Sequence, residues 1–365
     1  MRRHFIIWCG LAASLCLGSE ALAEPVIRAY LYNPTADAIV LKYPYNKPPD
    51  TLPLKPTLAL DGRGFENGEI SLAYRIEGGR TVMHRGLLNV KVEDGWFEKE
   101  IQLPQCFPKA ESVEWEMSVA GPAIVKGHAP LTWSRFRGRV EYRQGPWHSS
   151  YIYLIPVGWG SPGELYIPVG DDGTFDALVP ARIYSALCAN GTGYVYDSAE
   201  RWAWDYDLTR DREEVFHVGR LELYGIRAFP IHGGPPTLWI LFRPSSISRA
   251  HKFDANGDGV LNEEEMKSLQ RGLRASPTAL GPELKAENVK VWLDGQPQRI
   301  LQFNQIPEAE GDGSWQVQYL AQIPADPRPK RGVRHEVKLE VESQEELHGQ
   351  NMVEFGEGTA GFYLP

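Results

Sequence analysis

Cysteine is scarce in this chain of 365 residues: there are 4, and two of them, Cys9 and Cys16, lie close to the N-terminus. A sequence so poor in cysteine is not a small scaffold built on disulfides. It also has no C-x-x-C pair and no H-E-x-x-H, the spacings that bring zinc ligands together. Basic residues are outnumbered, with 38 Lys and Arg against 47 Asp and Glu and a formal net charge of −9. That balance leaves no basic footprint for phosphates and argues against a nucleic-acid partner. Long apolar runs are missing too. The N-terminal run Phe5 to Leu17 is shorter than the ~20 residues a bilayer-crossing helix needs, and no later segment reaches ~18. What is abundant is turn chemistry, 36 Gly and 28 Pro, in a chain that is 42% hydrophobic. Such a chain can build cores, but it punctuates them too often for a helical bundle, so many short strands are expected.

The first residues have the layout of an export signal. Arg2 and Arg3 precede the apolar run, and Ala21-Leu22-Ala23 supplies small residues around a cleavage point. Residues 1–23 are therefore expected to be removed, and the mature chain to be periplasmic or extracellular with no transmembrane segment. Cleavage leaves Cys106 and Cys188. In an oxidising compartment they form one disulfide or remain two separate packed thiols, and spacing does not choose between these.

The mature chain divides into three expected β units. Residues 24–130 hold strand-like runs such as Val26 to Tyr32 and the period-two stretch Ile70 to Ile76, followed by Gly78-Gly79 as a hairpin signal. An immunoglobulin-like sandwich suits this region. Residues 131–232 form a second unit, with Tyr151 to Val157 apolar on both faces. Residues 233–365 open on Gly233-Gly234-Pro235-Pro236, a linker signal, and continue with strands at Thr237 to Phe242, Val289 to Leu293, Trp315 to Tyr319 and His335 to Val341. A short helical insertion is expected at about 245–275. It sits within a third sandwich or forms a free-standing module between two β domains. The fold class is thus mainly β, with tandem sandwiches and a small helical insertion.

In the second unit, Gly138-Arg139-Val140, Asp172-Gly173-Thr174-Phe175 and Pro180-Ala181-Arg182-Ile183-Tyr184 follow one another. Together they resemble the carboxypeptidase-regulatory, or transthyretin-like, β-sandwich. The resemblance implies a fold for this unit, and a module of the noncatalytic kind rather than an activity.

The insertion carries the one specific motif. Residues 254–265 read Asp-Ala-Asn-Gly-Asp-Gly-Val-Leu-Asn-Glu-Glu-Glu, which fits D-x-[DN]-x-[DN]-G-x₅-E without a mismatch. Calcium takes six to eight oxygen ligands, roughly 2.3–2.6 Å away. Asp254, Asn256 and Asp258, spaced by two, can turn three side-chain oxygens inward. Gly259 permits the bend. Val260 offers its carbonyl, Asn262 acts directly or through a water, and Glu265 closes the site with both oxygens. Ile247, Ala250 and Phe253 fall on one face before the loop, and Met266, Leu269 and Leu273 on one face after it. The stretch resembles the EF-hand family, which implies a Ca²⁺ cofactor. EF-hands usually come in pairs, and no second loop is present. A lone hand in a β protein points to a structural clamp, with a Kd on the order of 10⁻⁴–10⁻³ M as in extracellular modules.

Other constellations are less specific. Trp202, Trp204 and Tyr206 alternate along one stretch, either as core or as a platform for a sugar ring. Asp205, Asp207, Glu213 and Glu214 are solvated acids or the paired carboxylates of a carbohydrate-active enzyme. No nucleophile elbow, phosphate loop or dinucleotide fingerprint is present, so no catalytic residue is assigned. The expected partner is a calcium ion, with a glycan or another extracytoplasmic protein as further partners left open.

Overall fold

The computed structural model describes residues 26–32, 57–118, 124–144, 150–156, 165–191, 199–230, 236–257, 261–325 and 329–364. The export signal expected at 1–23 lies outside the described residues, as do Asp258, Gly259 and Val260 of the acidic loop. Among the described residues the structure is mainly β, 66% strand and 8% helix, in several sheets.

The first unit contains β1 (Val26–Tyr32), β2 (Thr57–Arg63), β3 (Gly68–Gly78), β4 (Thr81–Val92), β5 (Trp96–Gln102), β6 (Ser112–Ser118) and β7 (Ile124–Pro130). One sheet runs in the order β1-β2-β5 and the other in the order β4-β3-β6-β7. Alternation builds the core between them. Ile70, Leu72, Tyr74 and Ile76 of β3 are buried, and the residues between them are not. The hairpin into β4 turns at Gly79, whose φ of +60° suits a residue without Cβ.

The second unit follows with β8 (Trp133–Tyr142), β9 (Ser150–Ile155), β10 (Leu165–Pro168), β11 (Thr174–Pro180), β12 (Ile183–Gly191), β13 (Arg201–Asp207) and β14 (Arg212–Val218). Phe136, Leu154, Phe175, Leu187 and Phe216 meet in its core. The three short motifs of this region converge there, because Val140, Phe175 and Tyr184 are members of the same core. The Asp172 carboxylate accepts from Thr174 N at 3.0 Å and from its hydroxyl at 2.7 Å, which shapes the turn ahead of Phe175. The Tyr184 hydroxyl donates to the Pro180 carbonyl at 3.0 Å. Tyr30, Tyr32 and Ala59 of the first unit also enter this core, so the two units are packed together.

The remaining elements are β15 (Leu221–Pro230), β16 (Thr237–Ser246), α1 (Ile247–His251), α2 (Glu263–Ala275), β17 (Val289–Leu293), β18 (Gln296–Gln298), β19 (Gln302–Ala309), β20 (Trp315–Pro324), β21 (Arg334–Leu347) and β22 (Gln350–Tyr363). One sheet runs β15-β16-β20-β19. Its partner is the far half of an eight-stranded sheet, β10-β9-β12-β13-β22-β21-β17-β18, that belongs to the second and third cores alike. The halves join where β13 and β22 pair in parallel, Trp202 with Gly358, Ala203 with Thr359 and Trp204 with Ala360.

Two details differ from the expected division of the chain. Leu221, Leu223 and Ile226 of β15 contribute to the third core, so the change of core falls near Gly219 and Arg220 rather than after residue 232. Gly233 to Pro236 then lie between β15 and β16 of one antiparallel pair. Residues 231–235 themselves lie outside the described residues.

Candidate metal centre

The acidic loop begins where α1 ends. The N–H of Asp254 donates to the carbonyl of His251 at 3.1 Å. Asp254 is buried, and its carboxylate accepts from Gly257 N at 2.9 Å, with Gly257 at a φ of +67°. At the other end Asn262 caps α2, accepting from Glu264 N at 3.0 Å and Glu265 N at 3.1 Å. Glu265 is buried and reaches back across the loop. Its Oε1 accepts from Ala255 N at 2.9 Å and Asn256 N at 3.2 Å, and its Oε2 from Asn262 N at 2.8 Å. One carboxylate therefore ties the first residues of the loop to the last and completes a capping box on α2.

The donor set at these positions is uniform. Asp254, Asn256, Asn262 and Glu265 each offer side-chain oxygen and none offers sulfur or imidazole, which suits a hard cation. Glu265 Oε1 already accepts two backbone bonds, whereas its Oε2 accepts one and keeps a further lone pair. Among the described residues no group of three His, Cys, Asp or Glu side chains converges on one point. Asp258 lies outside them.

The two sides of the loop touch where Phe253, just beyond α1, packs on α2. Ile247 and Leu269 are buried, and Phe253, Met266 and Leu273 are half-buried. The Phe253 ring occupies the space at Gly272, where a Cβ would lie 2.6 Å from it. Glu263, Glu264 and Glu265 stand in the first turn of α2, where the helix dipole favours negative charge.

Sequence reasoning missed the ground beneath α1. Glu354 of β22 is fully buried, and its Oε1 accepts from the N–H of Ser248 at 2.8 Å and from its hydroxyl at 2.7 Å. Glu345 of β21, also buried, accepts from Arg249 Nε at 2.8 Å, and Arg249 Nη1 donates to the Thr278 carbonyl at 2.7 Å. The available signal was phase. Glu345 continues the alternation of Val337, Leu339 and Val341, and so occupies an inward position.

The aromatic row is not a platform. Asp205 has a φ of +47°, which changes the phase of β13. Ala203 and Tyr206 consequently both face the second core, while Trp202 and Trp204 lie on the opposite face. Trp202 and Tyr206 are buried, and the two indoles stack on each other with centroids 5.4 Å apart. Most of the nearby acids are engaged locally. Asp207 accepts from Thr209 N at 2.9 Å, Glu213 from Arg137 Nη2 at 2.7 Å and Glu214 from Arg212 Nε at 2.8 Å. Cys106 and Cys188 are both free. Cys188 is buried beside Trp202, and Cys106 lies between β5 and β6 of the first unit.

No protein-family model matches this chain. No curated protein matches it either. Among solved structures it is similar to a DUF3823 family protein from Parabacteroides merdae ATCC 43184, at 12% identity and a TM-score of 0.20, over 64% of this chain and 98% of that one. A DUF3823 family protein from Bacteroides ovatus ATCC 8483 matches at 11% identity and a TM-score of 0.19, over 63% and 98%. A marsupial T cell receptor matches at 8% identity and a TM-score of 0.18, over 92% and 99%. Among the described residues no helix is long and apolar enough to cross a membrane.

Proposed function

We propose that this is an exported calcium-binding protein whose single EF-hand loop, residues 254–265, stiffens a multi-domain β structure. The observation that carries the reading is the reach of Glu265 across the loop to Ala255 and Asn256. It brings the closing carboxylate of the motif to the side of its opening residues. Asp254, Asn256 and Asp258 would supply side-chain oxygens, Val260 its carbonyl and Glu265 its Oε2, the carboxylate oxygen that accepts only one backbone bond. The Asn262 oxygen already serves two N–H groups of α2, so it would contribute through a water. Bound calcium would supply the positive charge that holds these acids together, and binding only the folded loop would raise stability.

Isothermal titration calorimetry of the protein against CaCl₂ tests this. Saturable binding at one site is expected, with a Kd on the order of 10⁻⁴–10⁻³ M, weakened at least about tenfold in Glu265→Gln, which removes a ligand charge. No heat at millimolar calcium, or an unchanged Kd in Glu265→Gln, would overturn the reading.

A further inference from the structure

The loop is fastened to the rest of the molecule through α1, and α1 has only five residues. A helix so short does not hold itself together, since nucleation costs more than its few internal bonds return. It is held from two directions. On one side the acidic loop continues from it at Asp254. On the other, Ser248 is bonded through both its N–H and its hydroxyl to the buried carboxylate of Glu354.

Glu354 occupies a junction. Its Oε1 lies 3.5 Å from Arg220 Nε, in the short link between β14 and β15 where the chain passes from the second core to the third. The carbonyl of Arg220 accepts from Ile247 N at 3.0 Å, at the start of α1. Gln144 Oε1 accepts from Phe355 N at 3.0 Å and Arg220 N at 3.3 Å, joining the same link to β22. Three residues beyond Glu354, Glu357 receives Arg201 Nε of β13 at 3.2 Å, beside the parallel pairing of β13 with β22. The path from loop to seam therefore runs through α1, Glu354 and one stretch of β22.

We propose that occupancy of loop 254–265 by calcium is coupled through Glu354 to the β13–β22 seam, so that the ion tightens the junction between the second and third cores. This rests on the reading of the loop as a calcium site. The ion would fix Asp254 and with it the C-terminal end of α1, and an ordered α1 presents Ser248 to Glu354 at no further ordering cost. Coupling of this kind is reciprocal. Loosening Ser248 from Glu354 must weaken calcium binding, although neither residue is a ligand.

The test uses the intact protein, wild type and the variants Glu354→Gln and Ser248→Ala, the second keeping the buried charge in case the first does not fold. Calorimetry with CaCl₂ gives the affinity, and hydrogen exchange with and without calcium gives protection at 201–204 and 354–360. Calcium is expected to slow exchange about tenfold at both seam strands in the wild type. In the variants the Kd should rise about fivefold or more, and the slowing should remain in the loop but vanish from the seam. Protection confined to the loop in the wild type, or wild-type affinity and seam protection in the variants, overturns the coupling and leaves the calcium site standing. Absence of binding in the wild type overturns the calcium site itself.

Discussion

Asp61 of β2 and Glu98 of β5 stand directly opposite each other across an antiparallel pair. Asp61 is buried, and Asp61 Oδ2 and Glu98 Oε2 have no hydrogen-bond partner among the described residues. Two carboxylates so placed repel when both are charged. Burial pushes the Glu98 carboxyl up to about 7; Asp61 and Glu100 add to the shift, while Arg182 of the second unit and Arg63 oppose it.

Folded protein therefore keeps the Glu98 proton to about pH 7, while the unfolded chain releases it near its ordinary value of 4.5. The raised value means that this stability is complete below about pH 4.5 and is lost as pH rises through 7. Glu98→Gln should flatten that slope and stabilise the protein at pH 8 by about 1 kcal/mol, a figure reduced because the side chain is only half-buried. Urea titrations at pH 4.5 and pH 8 check this. A variant with the wild-type slope would rule the pair out as its source.

Glu357 runs the other way. Burial alone would raise its carboxyl, but the His217 hydrogen bond and the charges of Arg201 and Lys338 outweigh burial and hold it at about 2. His217 Nδ1 lies 3.0 Å from one oxygen and Lys338 Nζ 2.8 Å from it. A depressed value contributes stability that is present above the unfolded value and lost as pH falls from about 4.5 towards 2. Glu357→Gln should cost about 3 kcal/mol at neutral pH, because buried Arg201 loses its nearer carboxylate and keeps only that of Glu214, 3.5 Å away. The variant should also show a shallower acid transition by circular dichroism. Equal acid midpoints and equal neutral stability would contradict the assignment.

Local chemistry was legible in the sequence, and long-range pairing was not. The alternation of Ile70, Leu72, Tyr74 and Ile76 placed a strand because one buried face imposes period two whatever lies opposite. The helix after the acidic loop was readable from the spacing of Met266, Leu269 and Leu273, whereas the cap that Asn262 makes on it was not read. The left-handed backbone at Asp205 escaped notice, since a single such residue inverts the faces of a strand without changing composition. The eight-stranded sheet escaped too, because the parallel meeting of β13 and β22 joins residues about 150 positions apart. Nothing in the local sequence marks Glu354, and only its neighbours in the fold, Ser248 and Arg220, make it a buried anchor.

The dual use of Asn262 gives a prediction that separates folding from ion binding. Its side chain satisfies two N–H groups that α2 would otherwise leave open. An amide oxygen accepts both bonds by itself, so the cap requires no metal ion. Asn262→Ala should therefore destabilise the protein in EDTA by about 1 kcal/mol, the usual cost of an N-cap. Asn262→Asp should restore most of that loss, because Asp caps about as well. Urea unfolding in EDTA, followed by circular dichroism, measures both. Equal midpoints for wild type and Asn262→Ala would mean that the cap contributes nothing and that the order of α2 comes from its packing through Leu269 alone.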